Sequence, residues 1–210
     1  MKQEPLDGQQ ALAWLAAGND RFASTADNIS NADQVPELAG EFGIGAVLSR
    51  RPEPRPFGLV LGCSDAQVPI ESLFGRASDD LFVVRVAGNV LTDEGLASLE
   101  YAAQFLGSPL VFVLGHRGCG AVEATIKAVH DNASLPGHLP GLIDRLKPAV
   151  IAAEDSRPAN LLNAAIAENV RRTSQAVAMA QPLLAGMVAS GKVTVTGGVY
   201  DIATGGVSLA

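Results

Sequence analysis

Four side chains that could bind a metal ion occur in two short segments of the sequence. Cys63 and Asp65 follow one apolar segment, and His116 and Cys119 follow another. Two thiolates and an imidazole form a soft donor set that suits Zn²⁺, and three such ligands leave a fourth position for water or for Asp65. These residue types therefore predict a zinc site, provided that the fold brings the two segments together.

The two cysteines also allow other interpretations. Cys63 and Cys119 are the only cysteines in the chain, so a single disulfide bond or two buried thiols are alternatives to metal binding. A chain of 210 residues does not need a disulfide to stabilise its core. Gly118 and Gly120 flank Cys119 at the predicted start of a helix, where unpaired N–H groups favour a thiolate. The polar neighbours of both cysteines favour the metal site.

A sheet whose strands end close together would position these residues. Short apolar segments at 57–61, 81–86 and 110–114 alternate with helical patterns. Continuous apolar strands of this kind are typical of a mostly parallel sheet with helices on both faces. Ligands bind beyond the carboxyl ends of such strands. We therefore predict that residues 57–210 form one α/β domain, with a mostly parallel central sheet flanked by helices.

Helical patterns fill the segments between these strands. Thr92 is predicted to cap one helix, and a second is predicted to begin near Gly118. A long helical region is predicted over 161–190, and residues 192–201 are predicted to form a last strand. The segment 206–209 could pair with that strand.

The N-terminal part of the chain follows a different pattern. Ala11, Leu15 and Phe22 recur at helical spacing, which predicts a helix over 8–23. Prolines at three alternate positions just before residue 57 forbid a helix and favour extended backbone. We therefore expect residues 1–56 to form an N-terminal helix and an extended arm.

The composition excludes several classes of function. Hydrophobic residues make up 48% of the chain and charged residues 18%, which is not typical of a disordered protein. The net charge of -7, without a cluster of basic residues, argues against a nucleic-acid partner. No apolar run approaches the ~20 residues of a membrane span, and the N-terminus leads into no signal core. We expect a soluble, cytoplasmic protein.

Two motifs of the sequence resemble the zinc motifs of β-class carbonic anhydrases. Gly62-Cys-Ser-Asp-Ala-Gln-Val-Pro69 is similar to the family's first motif, and Leu114-Gly-His-Arg-Gly-Cys-Gly-Ala-Val122 is similar to its second. The segments 82–89 and 98–102 resemble the family's intervening blocks and follow in the same order. The resemblance covers nearly the whole chain, which is identified as a member of this family.

The resemblance implies a zinc ion held by Cys63, His116 and Cys119. It implies that Asp65 either accepts a hydrogen bond from water on the metal or is itself a ligand. The implied reaction is the reversible hydration of CO₂ to bicarbonate, for which zinc lowers the pKa of water to ~7. A carboxylate beside that water would orient it and help to receive its proton.

The resemblance also implies an assembly. Members of the family form dimers, so a homodimer or a dimer of dimers is expected here. In that arrangement the N-terminal helix crosses to the partner subunit, which would bury Trp14, Leu15 and Phe22, side chains that would otherwise be exposed.

One position departs from the family's pattern. The family usually has arginine two residues after the aspartate, and this chain has Gln67. Arginine would hold the carboxylate away from the metal through a charge-assisted pair, whereas glutamine supplies no charge. We therefore predict that Asp65 competes with water for the fourth zinc position and that activity at neutral pH is low. The alternative is that Arg85 or Arg117 replaces the missing guanidinium.

Three functions are compatible with these residues. The leading hypothesis is a zinc lyase that interconverts CO₂ and bicarbonate. The second is a relative that keeps zinc but has little or no hydration activity and serves in regulation or binding. The third is a hydrolase of a CO₂-like linear molecule, such as carbonyl sulfide or carbon disulfide, since such enzymes share the ligand set and differ in access to the metal.

Overall fold

The computed structural model describes residues 7–28, 55–75, 80–131 and 135–210, and at its centre lies a five-stranded sheet. The strands are β1 (Gly58–Gly62), β2 (Leu81–Arg85), β3 (Leu110–His116), β4 (Thr194–Tyr200) and β5 (Val207–Leu209). Their order across the sheet is β2-β1-β3-β4-β5, and only β5 is antiparallel to its neighbour. The predicted α/β fold with a mostly parallel sheet is confirmed.

The two strands that precede the candidate ligands lie side by side. Every residue of β1 and β3 is buried, as their apolar sequences predict. Leu61 pairs with Val113, and Gly62 pairs with Leu114, so both strands end at the same edge of the sheet. β3 is longer than predicted, because it continues through His116, which is therefore the last residue of the strand.

In the described part of the chain, helices pack on the sheet and beside its carboxyl edge. They are α1 (Gly8–Asn28), α2 (Ile70–Leu73), α3 (Asp93–Phe105), α4 (Gly120–Asp131), α5 (Leu139–Asp155), α6 (Leu161–Ala178) and α7 (Leu184–Ala189), with a short 3-10 turn at Ala87–Asn89. The predicted cap at Thr92 is present, since its hydroxyl oxygen accepts a hydrogen bond from the Gly95 N–H at 3.0 Å. None of the described helices combines the length and the apolar composition that a membrane span requires.

One helical prediction needs correction, and one helix was not predicted. The region 161–190 is two helices, α6 and α7, because Pro182 lies between them and cannot continue the first. α5 was not predicted, because it contains Pro148 and has a further proline in its first turn. A proline in the first turn is tolerated there, since it removes only an N–H group that has no helical partner.

Successive residues of the central strands pack on opposite faces of the sheet. Val60 and Phe112 belong to a cluster with α1 and α2, whereas Leu59, Leu61 and Val111 belong to a cluster with α3 and α7. A third cluster lies at the carboxyl end, where α4, α5 and α6 enclose the two cysteines. The candidate ligands therefore lie where the sheet meets three helices.

The N-terminal helix packs on the sheet of its own chain. Ala11 is 0% exposed and Leu15 is 1% exposed within the single chain, and Trp14 and Phe22 are partly buried against the same cluster. The expectation that this apolar face stays exposed until a partner covers it is therefore wrong. The helix also extends beyond its predicted end, to Asn28. The arm at residues 29–54 lies outside the described residues, and the role of residues 1–56 in dimerisation stays a prediction.

Candidate metal centre

Three of the predicted ligands meet at the carboxyl edge of the sheet. Cys63 directly follows β1, His116 ends β3, and Cys119 precedes α4. Their ligand atoms all lie within 4.8 Å of one another, and the three residues are 4%, 1% and 1% exposed. The parallel pairing of β1 with β3 creates this convergence, because it places residues 56 positions apart at one edge.

The two sulfur atoms are at a distance suited to a shared cation. The Sγ atoms of Cys63 and Cys119 are 4.0 Å apart, and both cysteines are free. A disulfide bond would require about 2.05 Å between them. Two Zn–S bonds of about 2.3 Å at a tetrahedral angle place their sulfur atoms about 3.8 Å apart, close to the observed distance.

The ring of His116 presents one nitrogen to the two thiols. Its Nδ1 lies 3.0 Å from the carbonyl oxygen of Arg117, which can only accept, so Nδ1 carries the proton and donates it. Its Nε2 is buried and has no hydrogen-bond partner within the described part of the chain. Buried polar atoms rarely lack a partner, and an unprotonated imidazole nitrogen beside two thiols suits a metal ion. The donor set therefore fits zinc.

Hydrogen bonds favour a thiolate at Cys63. The Cys119 thiol lies against its sulfur, and the backbone N–H of Gly88 donates to it at 3.3 Å. The Cys119 thiol is the main cause. Together with the nearby His116 imidazole and the backbone N–H groups of Asp65 and Gly88, it outweighs burial and lowers the pKa of Cys63 to about 4. The same interaction, followed by burial, raises the pKa of Cys119. One anionic ligand is therefore available before any metal binds.

The imidazole also responds to these charges. Burial lowers the pKa of His116, but the Cys63 thiolate and the Asp65 carboxylate outweigh it, so that this pKa is raised above 6.5.

Cys119 lies at the start of α4, where its carbonyl oxygen accepts the Glu123 N–H at 3.0 Å. This position places unpaired helical N–H groups next to its sulfur, as predicted from the flanking glycines.

Asp65 lies at the rim of this cluster. Its side chain is 29% exposed, and its Oδ2 atom is 3.9 Å from His116 Nε2. Its Oδ1 atom accepts a hydrogen bond from the backbone N–H of Gln67 at 2.9 Å. The group of atoms within 4.8 Å of one another does not include its carboxylate. Asp65 as a fourth ligand, and the catalytic roles of Asp65 and Gln67, stay predictions.

Neither candidate arginine holds the Asp65 carboxylate. The Arg85 guanidinium donates to the backbone carbonyl oxygens of Cys63 and Asp65, at 3.0 and 2.6 Å. The Arg117 guanidinium pairs instead with Asp201, with 3.0 Å between Nε and Oδ2. In the described residues, the donor on the Asp65 carboxylate is therefore the neutral N–H of Gln67.

Sequence reasoning missed Asn169, which supports the site from α6. It is 4% exposed, and its Nδ2 atom donates to the Gly88 carbonyl oxygen at 2.8 Å. A polar residue on the apolar face of a helix, between Ile166 and Val170, is a signal that could have identified it. The sequence alone does not show which backbone group this amide contacts.

Comparison with known proteins gives the family. A sequence model described as carbonic anhydrase matches residues 58–207. The chain belongs to the carbonic anhydrase family. A carbonic anhydrase of Mycolicibacterium smegmatis is 36% identical to it over 157 residues, which are 74% of this chain and 75% of that relative.

Two further relatives extend the comparison. A tetrameric β-carbonic anhydrase of the filamentous ascomycete Sordaria macrospora superposes with a TM-score of 0.66 at 23% identity, over 94% of this chain and 95% of that one. The chain described here therefore has the fold of the β-class carbonic anhydrases. A carbon disulfide hydrolase of Acidianus sp. is 35% identical over 66 residues, which are 31% of this chain and 32% of that relative.

Proposed function

We propose that this chain is a zinc-dependent carbonic anhydrase that catalyses the reversible hydration of CO₂ to bicarbonate and a proton. Cys63, His116 and Cys119 would hold the metal. The observation that supports this most directly is the convergence of their buried ligand atoms within 4.8 Å in a member of the carbonic anhydrase family. The donor set is the soft kind that zinc prefers.

The residues around the metal would each make a separate contribution. A zinc ion bound there supplies Lewis acidity, which provides hydroxide from water at neutral pH. Asp65 would orient that water and receive its proton, a role supported by its partly exposed carboxylate, whose Oδ2 atom lies 3.9 Å from His116 Nε2. His116 keeps its orientation through the hydrogen bond from Nδ1 to the Arg117 carbonyl oxygen.

The same carboxylate would also limit activity. Asp65 would lie next to a bound cation, and among the described residues its carboxylate accepts a single neutral hydrogen bond, from the Gln67 N–H. An arginine at position 67 would add a charge-assisted bidentate pair that holds the carboxylate back. We propose that Asp65 competes with water for the fourth position, so that activity is low at neutral pH and rises with pH.

A second candidate function is hydrolysis of carbon disulfide or carbonyl sulfide. The observation in its favour is the 66-residue segment that is 35% identical to a carbon disulfide hydrolase. CO₂, carbonyl sulfide and carbon disulfide are linear molecules with an electrophilic carbon, so one ligand set could serve all three. We rank this function second because the similarity covers 31% of the chain.

The proposed enzyme would work as a homodimer or a dimer of dimers in the cytoplasm. A structurally similar β-carbonic anhydrase is described as tetrameric. Exposed aromatic rings offer a surface for such contacts, since Tyr101 is 52% exposed and Phe105 is 73% exposed on α3, with their ring centroids 5.4 Å apart. CO₂ and bicarbonate are the expected small-molecule partners.

The decisive test is stopped-flow CO₂ hydration by zinc-loaded protein from neutral to alkaline pH. We expect activity that rises with pH and that is lost in Cys63→Ser. Sulfide release from carbonyl sulfide and carbon disulfide, measured on the same sample, distinguishes the second candidate. Zinc-loaded protein without CO₂ hydration at any pH would contradict the proposal and favour a zinc-binding relative without hydration activity.

A further inference from the structure

A buried hydrogen-bond relay connects α6 to one of the candidate ligands. Asn169 donates to the Gly88 carbonyl oxygen at 2.8 Å, and the Gly88 N–H donates to the Cys63 sulfur at 3.3 Å. We infer that Asn169 is a positioning residue that holds the Gly88 N–H on the metal-binding sulfur of Cys63. This inference rests on the proposed function, since it concerns the loaded metal site.

The backbone at Gly88 is held on several sides. Its φ of 64° lies in the left-handed region, where a side chain is strained. A Cβ atom at this position would lie 3.0 Å from Leu146 and 3.3 Å from Ala121. The turn is therefore packed between the sulfur on one side and helices α4 and α5 on the other. A small rotation about the Gly88 backbone would aim its N–H away from the sulfur.

Asn169 is the side chain that opposes such a rotation. It lies 81 residues from Gly88 in sequence, is 4% exposed, and donates to the carbonyl oxygen of the residue whose N–H faces Cys63. Fixing the carbonyl group of a residue restricts its ψ angle and, through the packed turn, the direction of its N–H. The amide thereby acts on the sulfur without touching it.

The same helix also supports the other half of the site. A Cβ atom at Gly115, next to His116, would lie 2.6 Å from Val170 Cγ2, so α6 packs directly on the end of β3. Val170 follows Asn169 in the chain, and both are buried. One turn of α6 therefore contacts the backbone beside the imidazole ligand and the backbone beside the thiolate ligand.

A positioned N–H has a chemical effect on a metal thiolate. It withdraws electron density from the sulfur, so the sulfur donates less to the metal and the metal remains a stronger Lewis acid. Hydrogen bonds that orient metal ligands typically change metal affinity or activity by about 10–100-fold when they are removed. Loss of the Asn169 donor should therefore alter both metal affinity and the electronic state of the sulfur.

The test compares zinc affinity and cobalt spectra of the full-length protein. Asn169→Asp keeps the shape of the side chain but replaces the donor with an acceptor. We expect zinc affinity, measured by competition with a chromophoric chelator, to fall about 10–100-fold, because the lost orientation of Cys63 outweighs the greater electron donation of its sulfur. In the Co²⁺-loaded variant, the sulfur-to-cobalt charge-transfer band should move to lower energy. Asn169→Gln retains a donor and should recover part of both properties.

A matched control comes from the same helix. Ser174 has a buried Oγ atom that has no hydrogen-bond partner in the described residues, so Ser174→Ala should leave zinc affinity and the cobalt band unchanged. If Asn169→Asp does not fold, Asn169→Ser replaces it, since the shorter side chain cannot reach Gly88.

The outcomes separate this inference from the proposed function. Wild-type affinity and an unmoved cobalt band in the Asn169 variants, even with a lower melting temperature, would overturn the positioning role and leave the proposed function intact. A wild-type chain that binds no zinc would overturn both. Altered zinc affinity and a shifted cobalt band in the Asn169 variants, together with CO₂ hydration by the wild-type protein, would support both.

Discussion

The guanidinium of Arg85 donates a hydrogen bond to the backbone carbonyl oxygen of Asp65 at 2.6 Å, rather than pairing with its carboxylate. It also donates to the Cys63 carbonyl oxygen at 3.0 Å, so Arg85 holds the backbone of the loop between these two residues. The positive charge of this arginine therefore interacts with the dipoles of these two carbonyl groups and not with the Asp65 carboxylate. Whether the Asp65 carboxylate is held away from the metal position therefore depends on residue 67, which is a neutral glutamine in this chain.

We predict that Gln67→Arg raises CO₂ hydration at neutral pH. The new guanidinium would form a charge-assisted pair with Asp65 and reduce its competition with water for the metal. A difference of only ~2.7 kcal/mol corresponds to about a hundredfold in rate. Stopped-flow turnover of the two zinc-loaded proteins at neutral pH measures the effect.

The control for this prediction is Gln67→Leu, which adds no charge and should therefore not raise turnover as arginine does. The hydrogen bond from residue 67 to Asp65 comes from the backbone N–H, which both variants retain, so a gain in the arginine variant alone is due to its charge. Equal turnover of wild type and Gln67→Arg, with water rather than Asp65 on the metal in a crystal structure, would show that the carboxylate does not compete.

We predict that Cys63→Ser and His116→Ala each lose most of the bound zinc. Purified wild-type protein should contain about one zinc per chain, because its ligand atoms form one cluster. Each lost ligand removes a large part of a binding free energy that totals ~10–16 kcal/mol in structural zinc sites. His130→Ala, which alters an exposed histidine on α4, should keep full zinc content by elemental analysis. Full zinc content in both ligand variants would exclude the assignment.

We predict that zinc affinity falls as pH is lowered and that binding releases protons. At neutral pH Cys63, with a pKa of about 4, is already a thiolate, whereas Cys119, whose pKa is raised, must lose its proton. His116 also has a raised pKa, so a lower pH favours its protonated form, which cannot bind a metal through Nε2. Binding should therefore release at least about one proton from these ligands, and this number should grow as pH is lowered. Calorimetric titrations in buffers of different ionisation enthalpy measure this number, and an affinity independent of pH would refute it.

We predict that Asn19→Ala destabilises the folded chain. The Asn19 amide donates to the Gly205 carbonyl oxygen and accepts the Val207 N–H, both at 2.8 Å, and so joins α1 to the segment at β5. Each buried group left without a partner costs about 1–3 kcal/mol. The melting temperature should fall by about 2–4 °C for each kcal/mol lost.

The exposed neighbour Asp20 provides the control for that experiment. Asp20→Ala should change the melting temperature little, because surface substitutions usually stay within about 0.5 kcal/mol. Both variants are measured at one protein concentration, since assembly adds to apparent stability. Subunit dissociation without a loss of stability in Asn19→Ala would mean that α1 binds the partner rather than its own sheet.

We predict that the protein is a homodimer or a dimer of dimers at micromolar concentration. Substituting Phe105, the most exposed of the aromatic rings on α3, by serine should weaken assembly and leave zinc content unchanged. Analytical ultracentrifugation measures the mass of both proteins. A stable species of 21.6 kDa for the wild type would contradict the predicted assembly.

Much of the site could be read directly from the sequence. Buried apolar strands that alternate with helices predicted the parallel sheet, and the residues at the ends of β1 and β3 supplied the cysteines and histidine that converge. These features are local, because an apolar strand and the turn that follows it are encoded by consecutive residues. The neutral residue at position 67 was also evident from the sequence, since its expected effect on the Asp65 carboxylate depends only on its position two residues further along the chain.

Tertiary structure alone decided which partners the remaining polar groups chose. Arg85 contacts carbonyl oxygens rather than a carboxylate, and Asn169 reaches a backbone group 81 residues away. α1 covers its own sheet, although its apolar stripe in the sequence does not specify which surface it covers. Residue type and spacing indicate what a side chain can bind. The partner that it actually contacts depends on how helices and turns pack against one another, and this packing is determined jointly by residues that are distant in sequence.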